Sequence, residues 1–181
     1  MNRYTNLWNN NYYVLYGKNL GAPRDSKIFE CKEKIIIRQT SDKIIATIIT
    51  ENIICRKNLH ILISEMVDHR FILGVLNSKL TNFYYQQINP EKGEVLAEVK
   101  KTHVEQLPIP KITSENQQLH DDLVKLVEQM LKAKKEEQNA QSDHEKNLYK
   151  NLTDSLDYKI NNLVYKLYNL TPEEIDLVEK S

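Results

Sequence analysis

The stretch that decides the fold is Lys34–Ile49, KIIIRQTSDKIIATII. Ile35-Ile36-Ile37 is β-branched and bounded by charge, which predicts a strand. Ile44 to Thr50 repeats the pattern after a polar interval, and further apolar runs follow at Ile53–Cys55 and Leu59–Ile63. Two of these β-type stretches carry cationic, polar breaks at their ends. The first is Arg38-Gln39-Thr40 with Lys43, the second Arg56-Lys57-Asn58. Arg, Gln and Asn can make paired hydrogen bonds to a base edge, and a strand end presents such groups rigidly. These seven residues are the candidates for base readout.

Working outward, residues 1–26 are rich in Asn, Tyr and Gly, with an aromatic patch at Trp8, Tyr12, Tyr13 and Tyr16. Gly17, Gly21 and Pro23 interrupt regular structure there, so a strand and a loop are expected. Downstream, Phe71, Ile72, Val75, Leu76, Leu80, Phe83 and Tyr84 have helical spacing, which predicts a packing helix over 69–88. Asn77-Ser78 within it reads as a local stabiliser, and the Phe83–Tyr85 cluster as core. Asn89-Pro90-Glu91-Lys92-Gly93 is a turn, followed by Val95-Leu96-Ala97. Leu107-Pro108-Ile109-Pro110 forces an extended exit, because each proline disfavours helix at the residue before it.

Past that exit the character changes. Ser114 with Gln117 offers a capping box, and Leu119, Leu123, Leu126, Met130 and Ala133 follow at the 4-3-4-3 spacing of a helix-packing seam. A polar run, KKEEQNAQSDHEK over 134–146, leads to a second capping box at Ser142 and Glu145. The next helix places Leu148, Leu152, Leu156, Ile160, Leu163 and Leu167 on one face. Thr171-Pro172 starts a short third helix, threonine at the cap and proline in the first turn. The chain is thus expected to be α+β: a small twisted sheet with a packing helix over 1–111, then an antiparallel helical hairpin of coiled-coil type over 112–181.

The formal charge of zero conceals a division. Residues 1–111 hold 16 Lys+Arg against 11 Asp+Glu, and residues 112–181 hold 9 against 14, so a front of +5 precedes a rear of −5. The front surface suits an anion and the rear does not. Arg24, Lys79, Lys92, Lys100 and Lys101 are candidates for phosphate contacts, which position a protein on DNA without specifying sequence. Cys31 and Cys55 have neither zinc-ligand spacing nor a disulfide framework, and read as reduced strand residues. The five histidines have no metal-ligand spacing, so no metal site is assigned. Glu30-Cys31-Lys32 after Asp25 faintly matches a metal-nuclease pattern, against which stands a solvated strand edge. No apolar run approaches the roughly 20 residues that span a bilayer, and the opening residues are not those of a signal peptide, so a cytoplasmic protein is expected.

With these residues laid out, the chain resembles the TaqI-like specificity domain of adenine-specific DNA methyltransferases and of fused type IIG restriction-modification enzymes. The resemblance rests on Lys34–Thr40, Ile45-Ala46-Thr47, Leu73–Leu80 and Glu105–Pro110, with a tail, Leu156–Thr171, similar to the closing helices of such domains. It implies a reading unit similar to the target-recognition domains of type I specificity subunits, with helices as spacers. It also implies a separate part that transfers methyl from S-adenosylmethionine to adenine, or cleaves with Mg2+. This sequence contains neither an adenine-holding Asn/Asp-Pro-Pro-Tyr/Phe motif nor a glycine-rich cofactor loop. The expectation is therefore a chain with no catalytic residues and no cofactor of its own. Its expected partners are double-stranded DNA and a methyltransferase or nuclease part, with self-association through the hairpin as a further possibility. The rival reading is a protein-interaction module that works through the hairpin seam without reading DNA.

Overall fold

A computed structural model describes residues 1–9, 11–94 and 96–181. Three antiparallel strands form one sheet in the order β2-β1-β3: β1 is Lys34–Arg38, β2 Ala46–Ile49 and β3 Leu59–Leu62. Ile35 lies between Ile48 and Leu62, and Ile36 between Thr47 and Ile61. Side chains alternate across a strand, so Ile35 and Ile37 enter the main core while Ile36 enters a second cluster on the opposite face. That second cluster joins Ile36 and Ile49 to Phe29 and Cys55, with Tyr16 and Ile61 packed against it. The uninterrupted isoleucine triplet is thus the signature of a central strand covered on both faces.

Lys34 opens that strand with its side chain fully buried. Its ammonium donates to the carbonyls of Phe29 (2.9 Å), Cys31 (3.1 Å) and Glu51 (3.2 Å). Burying a charge is tolerable only when its hydrogen-bonding capacity is met. Here three backbone acceptors meet all three ammonium protons and tie two connecting segments to the strand.

The helical stretch 69–88 is broken into α2, His69–Leu76, and α3, Lys79–Ile88, after α1 at Lys27–Glu30. The break has a local cause. Ser78 adopts extended geometry and its hydroxyl caps α3 by accepting from the Thr81 amide. Asn77 turns aside to β2, accepting from the Ala46 amide and donating to the Ala46 carbonyl, each at 3.0 Å. The short helix α4, Lys101–Val104, leads through the proline exit to α5, Gln117–Asn139. Then come α6, Asp143–Leu167, and α7, Pro172–Glu179.

The hairpin of α5 and α6 is present, and the turn between them is only residues 140–142, so most of the polar run is helical. It does not stand apart from the sheet. Leu123, Val127, Met130, Leu156, Ile160 and Val164 share one core with Ile35, Phe71 and Leu73. Gly74 lets α2 meet α5 closely, since a Cβ there would lie 2.9 Å from Val127 Cγ2 and 3.0 Å from Leu123 Cδ1. Because α5 faces both α2 and α6, its apolar face is wider than a two-helix seam, and Val127 rather than Leu126 is fully enclosed. Leu148 and Leu152, expected in the seam, are 57% and 45% exposed. Past Ala133, α5 offers only KKEEQN to that end of α6, so α5 supplies them no apolar partner.

Other expectations are corrected in detail. No strand forms among the described residues of 1–26, nor at Ile53–Cys55. Cys31 is half-buried and Cys55 buried, both free and neither in a strand. The Ser114 capping box is absent: α5 begins after Asn116, whose side chain accepts from the Thr113 amide instead. The capping boxes at Ser142 and Thr171 both form. Asn169, at φ 53°, stops α6: the Leu170 amide reaches the Tyr165 carbonyl and the Asn169 amide that of Lys166. This is the six-to-one and five-to-two pattern of a left-handed helix stop. Val95 lies outside the described residues; Leu96 is exposed and Ala97 buried.

Candidate nucleic-acid interface

Antiparallel pairing decides which polar breaks meet. β1 ends where β2 and β3 begin, so the loop 39–45 and the turn 56–58 emerge at the same end of the sheet. The Gln39 amide donates to the Asn58 carbonyl at 3.0 Å, and the Arg38 amide to that of Ile45 at 2.9 Å. Leu59 closes the turn by donating to the Arg56 carbonyl at 3.1 Å. All seven base-readout candidates are thereby gathered on one rim. Arg38, Thr40, Lys43, Arg56, Lys57 and Asn58 are exposed and Gln39 is half-buried. Among the described residues, the guanidinium groups of Arg38 and Arg56 and the ammonium groups of Lys43 and Lys57 have no carboxylate within ion-pair distance. The backbone of this rim is fixed while its cationic tips point to solvent.

A third segment joins the rim. The Val99 amide donates to the Gln39 carbonyl at 2.6 Å, Thr40 bridges to Glu98, and Gln39 Nε2 reaches a Glu98 carboxylate oxygen at 3.3 Å. His60, on β3, is bonded through Nε2 to the Val99 carbonyl at 2.6 Å. Lys92, Lys100 and Lys101 are brought alongside by this segment, in unequal settings. Lys100 lies 2.5 Å from Glu91. The hydrogen bond between them raises the lysine pKa and lowers that of Glu91, whose carboxylate also accepts from the Glu98 amide. Lys101 is paired with Glu105 at 3.3 Å, and Lys92 is exposed in the turn that Gly93, at φ 80°, completes. Glu91, Glu94 and Glu98 therefore temper this flank, and the strongest uncompensated positive charge lies toward Arg38, Arg56 and Lys57.

Arg24 and Lys79 are placed differently. Arg24 is half-buried and donates to the Leu59 carbonyl at 3.0 Å, so it clamps the start of β3 from the outer edge. Lys79 opens α3 and pairs with Glu179 of α7, which also accepts from the Tyr165 hydroxyl at 2.7 Å. Lys79 and Lys43 line one open cleft of about 550 Å³, with Asp42, Asp154 and an Arg3–Asp157 ion pair at 2.5 Å. That cleft is mixed in charge, and Lys43 stands where it meets the rim.

Residues of the weak nuclease pattern belong to no metal-holding group of His, Cys, Asp and Glu among the described residues. Glu30 ends the single turn of α1, and Lys32 is exposed in the bend that follows. The Asp25 carboxylate accepts from the Lys27 amide. Of the aromatic cluster, Tyr85 is buried with its hydroxyl on the Glu98 carbonyl at 3.3 Å, while Tyr84 is partly exposed. Asn77, which positions the β2 side of the rim from within, and Lys34, which ties the opposite end of β1 to its flanking segments, were not distinguishable by residue type. Their roles depend on which backbone groups the fold leaves unpaired.

The family model of the TaqI-like C-terminal specificity domain matches residues 1–109, which include the whole sheet, its rim and the loop beside it. No curated protein matches the chain. No helix among the described residues is long and apolar enough to cross a membrane.

Proposed function

The chain belongs to the family of TaqI-like C-terminal specificity domains, and on that premise we propose that the sheet rim reads duplex DNA and directs a separate catalytic part to its site. That part would be an adenine methyltransferase, an endonuclease, or both, and S-adenosylmethionine and Mg2+ would be its cofactors. The observation that carries the reading is the register of β1 with β2 and β3. It collects Arg38, Lys43, Arg56 and Lys57 on one rim, on a fixed backbone and without an ion-pair partner among the described residues. Bidentate arginine on guanine and Asn or Gln on adenine are the pairings such a rim can make in the major groove. Lys100 and Lys101, on the acid-tempered flank, suit phosphate.

Duplex binding by the full chain, followed by fluorescence anisotropy over a salt series, tests this. If about four phosphates are contacted, the log–log salt slope is about −3.6, at roughly −0.9 per phosphate. Absence of binding at low salt, or binding indifferent to salt, refutes the reading.

A second reading draws on Leu148 and Leu152, which leave an apolar strip on the distal part of α6. It holds that the hairpin docks a protein partner and the rim is incidental. The same titration separates the two, since a docking module alone gives no salt-sensitive DNA binding.

A further inference from the structure

Residues 1–24 contain Arg3, Lys18 and Arg24 but no carboxylate; the first acidic residue is Asp25. In a chain whose Lys+Arg and Asp+Glu counts are equal, at 25 each, this is a marked local departure. The same segment is rich in Asn and Tyr. It is pinned at both ends beside the rim. The Tyr4 amide donates to the carbonyl of Ala46, the first residue of β2, at 2.9 Å. Arg24 donates to the carbonyl of Leu59, the first residue of β3. Tyr16 fixes the interior of the segment, its hydroxyl on the Arg24 carbonyl and its ring edge-on to Phe29 at 5.6 Å.

Between these anchors Tyr12, Tyr13 and Leu15 are 77%, 89% and 84% exposed, and Lys18 and Asn19 are exposed after them. Before the run, the Asn6 carbonyl accepts from Gln138 of α5 at 3.1 Å; single exposed apolar residues are ordinary, but a run of them marks an interaction surface. The chemistry of the run selects the partner. Tyrosine combines an apolar ring with a hydroxyl, and asparagine offers both donors and acceptors. The lack of carboxylates removes the repulsion that phosphates would otherwise meet. Apolar side chains that press between base steps, flanked by Asn and Lys or Arg, are a general means of gripping a groove.

We infer that the loop from Asn11 to Leu20 is a second DNA-contacting element, adjoining the rim. Lys18 meets phosphate, and Tyr12, Tyr13 and Leu15 press against sugars and base edges in the groove next to the one the rim enters. This rests on the reading of the rim as a DNA interface, and it assigns part of the affinity to residues outside the strands.

The test uses the full chain and a fluorescein-labelled duplex pool with a randomised centre, at low salt. Variants are Tyr12→Ala with Tyr13→Ala, Tyr12→Phe with Tyr13→Phe, Lys18→Ala, and Arg38→Ala with Lys57→Ala as a rim control. Circular dichroism should be unchanged for the loop variants, because their side chains are exposed. The double alanine variant should weaken binding about tenfold or more, on the scale of lost aromatic–base contacts, while the phenylalanine pair retains most of it. Lys18→Ala should flatten the salt slope by about 0.9. If the alanine pair binds as wild type while the rim control weakens, the loop inference falls and the rim stands. The loop inference falls in the same way if the alanine pair keeps DNA affinity but fails to bind a separately supplied catalytic subunit. If the wild-type chain binds no duplex, both fall.

Discussion

Replacing Asn77 tests whether the rim is held from within. Asn77 is 1% exposed, and its carboxamide is bonded twice to Ala46 at the start of β2. Ala46 is an edge residue, and its carbonyl has a second donor in the Tyr4 amide. In Asn77→Ala the Ala46 amide is left buried and unpaired, at about 1–3 kcal/mol. Its carbonyl keeps Tyr4 and loses only one bond, at about 0.5–1.5 kcal/mol. The expected destabilisation is therefore about 1.5–4.5 kcal/mol, read as a shift of the urea midpoint with little change in slope. Asn77→Asp adds a pH signature. The carboxylate still accepts from the Ala46 amide, but it turns an acceptor toward the Ala46 carbonyl in a fully buried site. Only the protonated acid can donate there, so the folded state raises the pKa of the introduced carboxyl above its unfolded value of about 3.9. A raised folded pKa means that the folded state binds the proton more tightly. The deficit is then absent below the unfolded value and grows as pH rises toward the folded one. Urea titrations at pH 5 and pH 7, each referred to wild type at the same pH, should show Asn77→Asp recovering at pH 5 while Asn77→Ala does not. An alanine variant within about 0.5 kcal/mol of wild type, inside the range of an ordinary surface change, refutes the argument. So does an aspartate variant whose deficit ignores pH.

Three further outcomes are expected. Arg38→Ala and Arg56→Ala should relax site preference by about 1–3 kcal/mol per lost guanine pairing, whereas Lys100→Ala should weaken all sequences alike; competition with single-base variants of a selected site distinguishes them, and uniform weakening by the arginine variants would make them anchors rather than readers. Lys34→Met should destabilise the fold by about 2–4 kcal/mol in urea titration, because three enclosed carbonyls lose their shared donor, and a neutral result would mean that those carbonyls find water. In the hairpin, Ile160→Ala should cost about 2–5 kcal/mol and the exposed Leu152→Ala about 0.5 kcal/mol or less; equal costs would contradict the observed end of the packed seam.

How much of this was legible in the sequence depends on the range of the interaction that fixes each feature. β1, β2 and β3 follow from runs of β-branched residues, and the starts of α6 and α7 from capping boxes that close within four residues. The division of 69–88 into α2 and α3 did not follow, because helical spacing continues through Asn77-Ser78 and only the distant backbone of Ala46 draws Asn77 away. Ile53–Cys55 has strand composition, yet β1 already has a neighbour on each edge, so those residues serve the second cluster as side chains alone. Ser114 matches a capping pattern, but Asn116 already holds the entering backbone. Leu148 and Leu152 continue a leucine period that α5 no longer answers. At the rim the residue types were legible and their meeting was not: Arg38 and Asn58 become neighbours only through the antiparallel register of β1 and β3. The setting of Arg24 on the Leu59 carbonyl likewise depends on a partner far along the chain, and that of Lys100 on how the turn at 89–93 folds back to bring Glu91 to it.

The division of charge acquires a structural meaning from the shared core. Were the acidic hairpin a separate body, its orientation to the basic rim would be free, and docking at one would say little about the other. Gly74 removes that freedom. With no side chain between them, α2 and α5 approach until Val127 and Leu123 would touch a Cβ at position 74, and close-packed interiors transmit displacement rather than absorb it. The path from hairpin to rim is short: α5 packs on α2, α2 runs into Asn77, and Asn77 holds Ala46 at the root of the loop carrying Lys43. A partner seated on the distal part of α6 would thus have its orientation to the rim fixed by the packed core. The −5 charge of the hairpin segment would also keep phosphate off the docking side. Substituting Gly74 with a bulkier residue should accordingly disturb DNA affinity and partner geometry together, although Gly74 contacts neither.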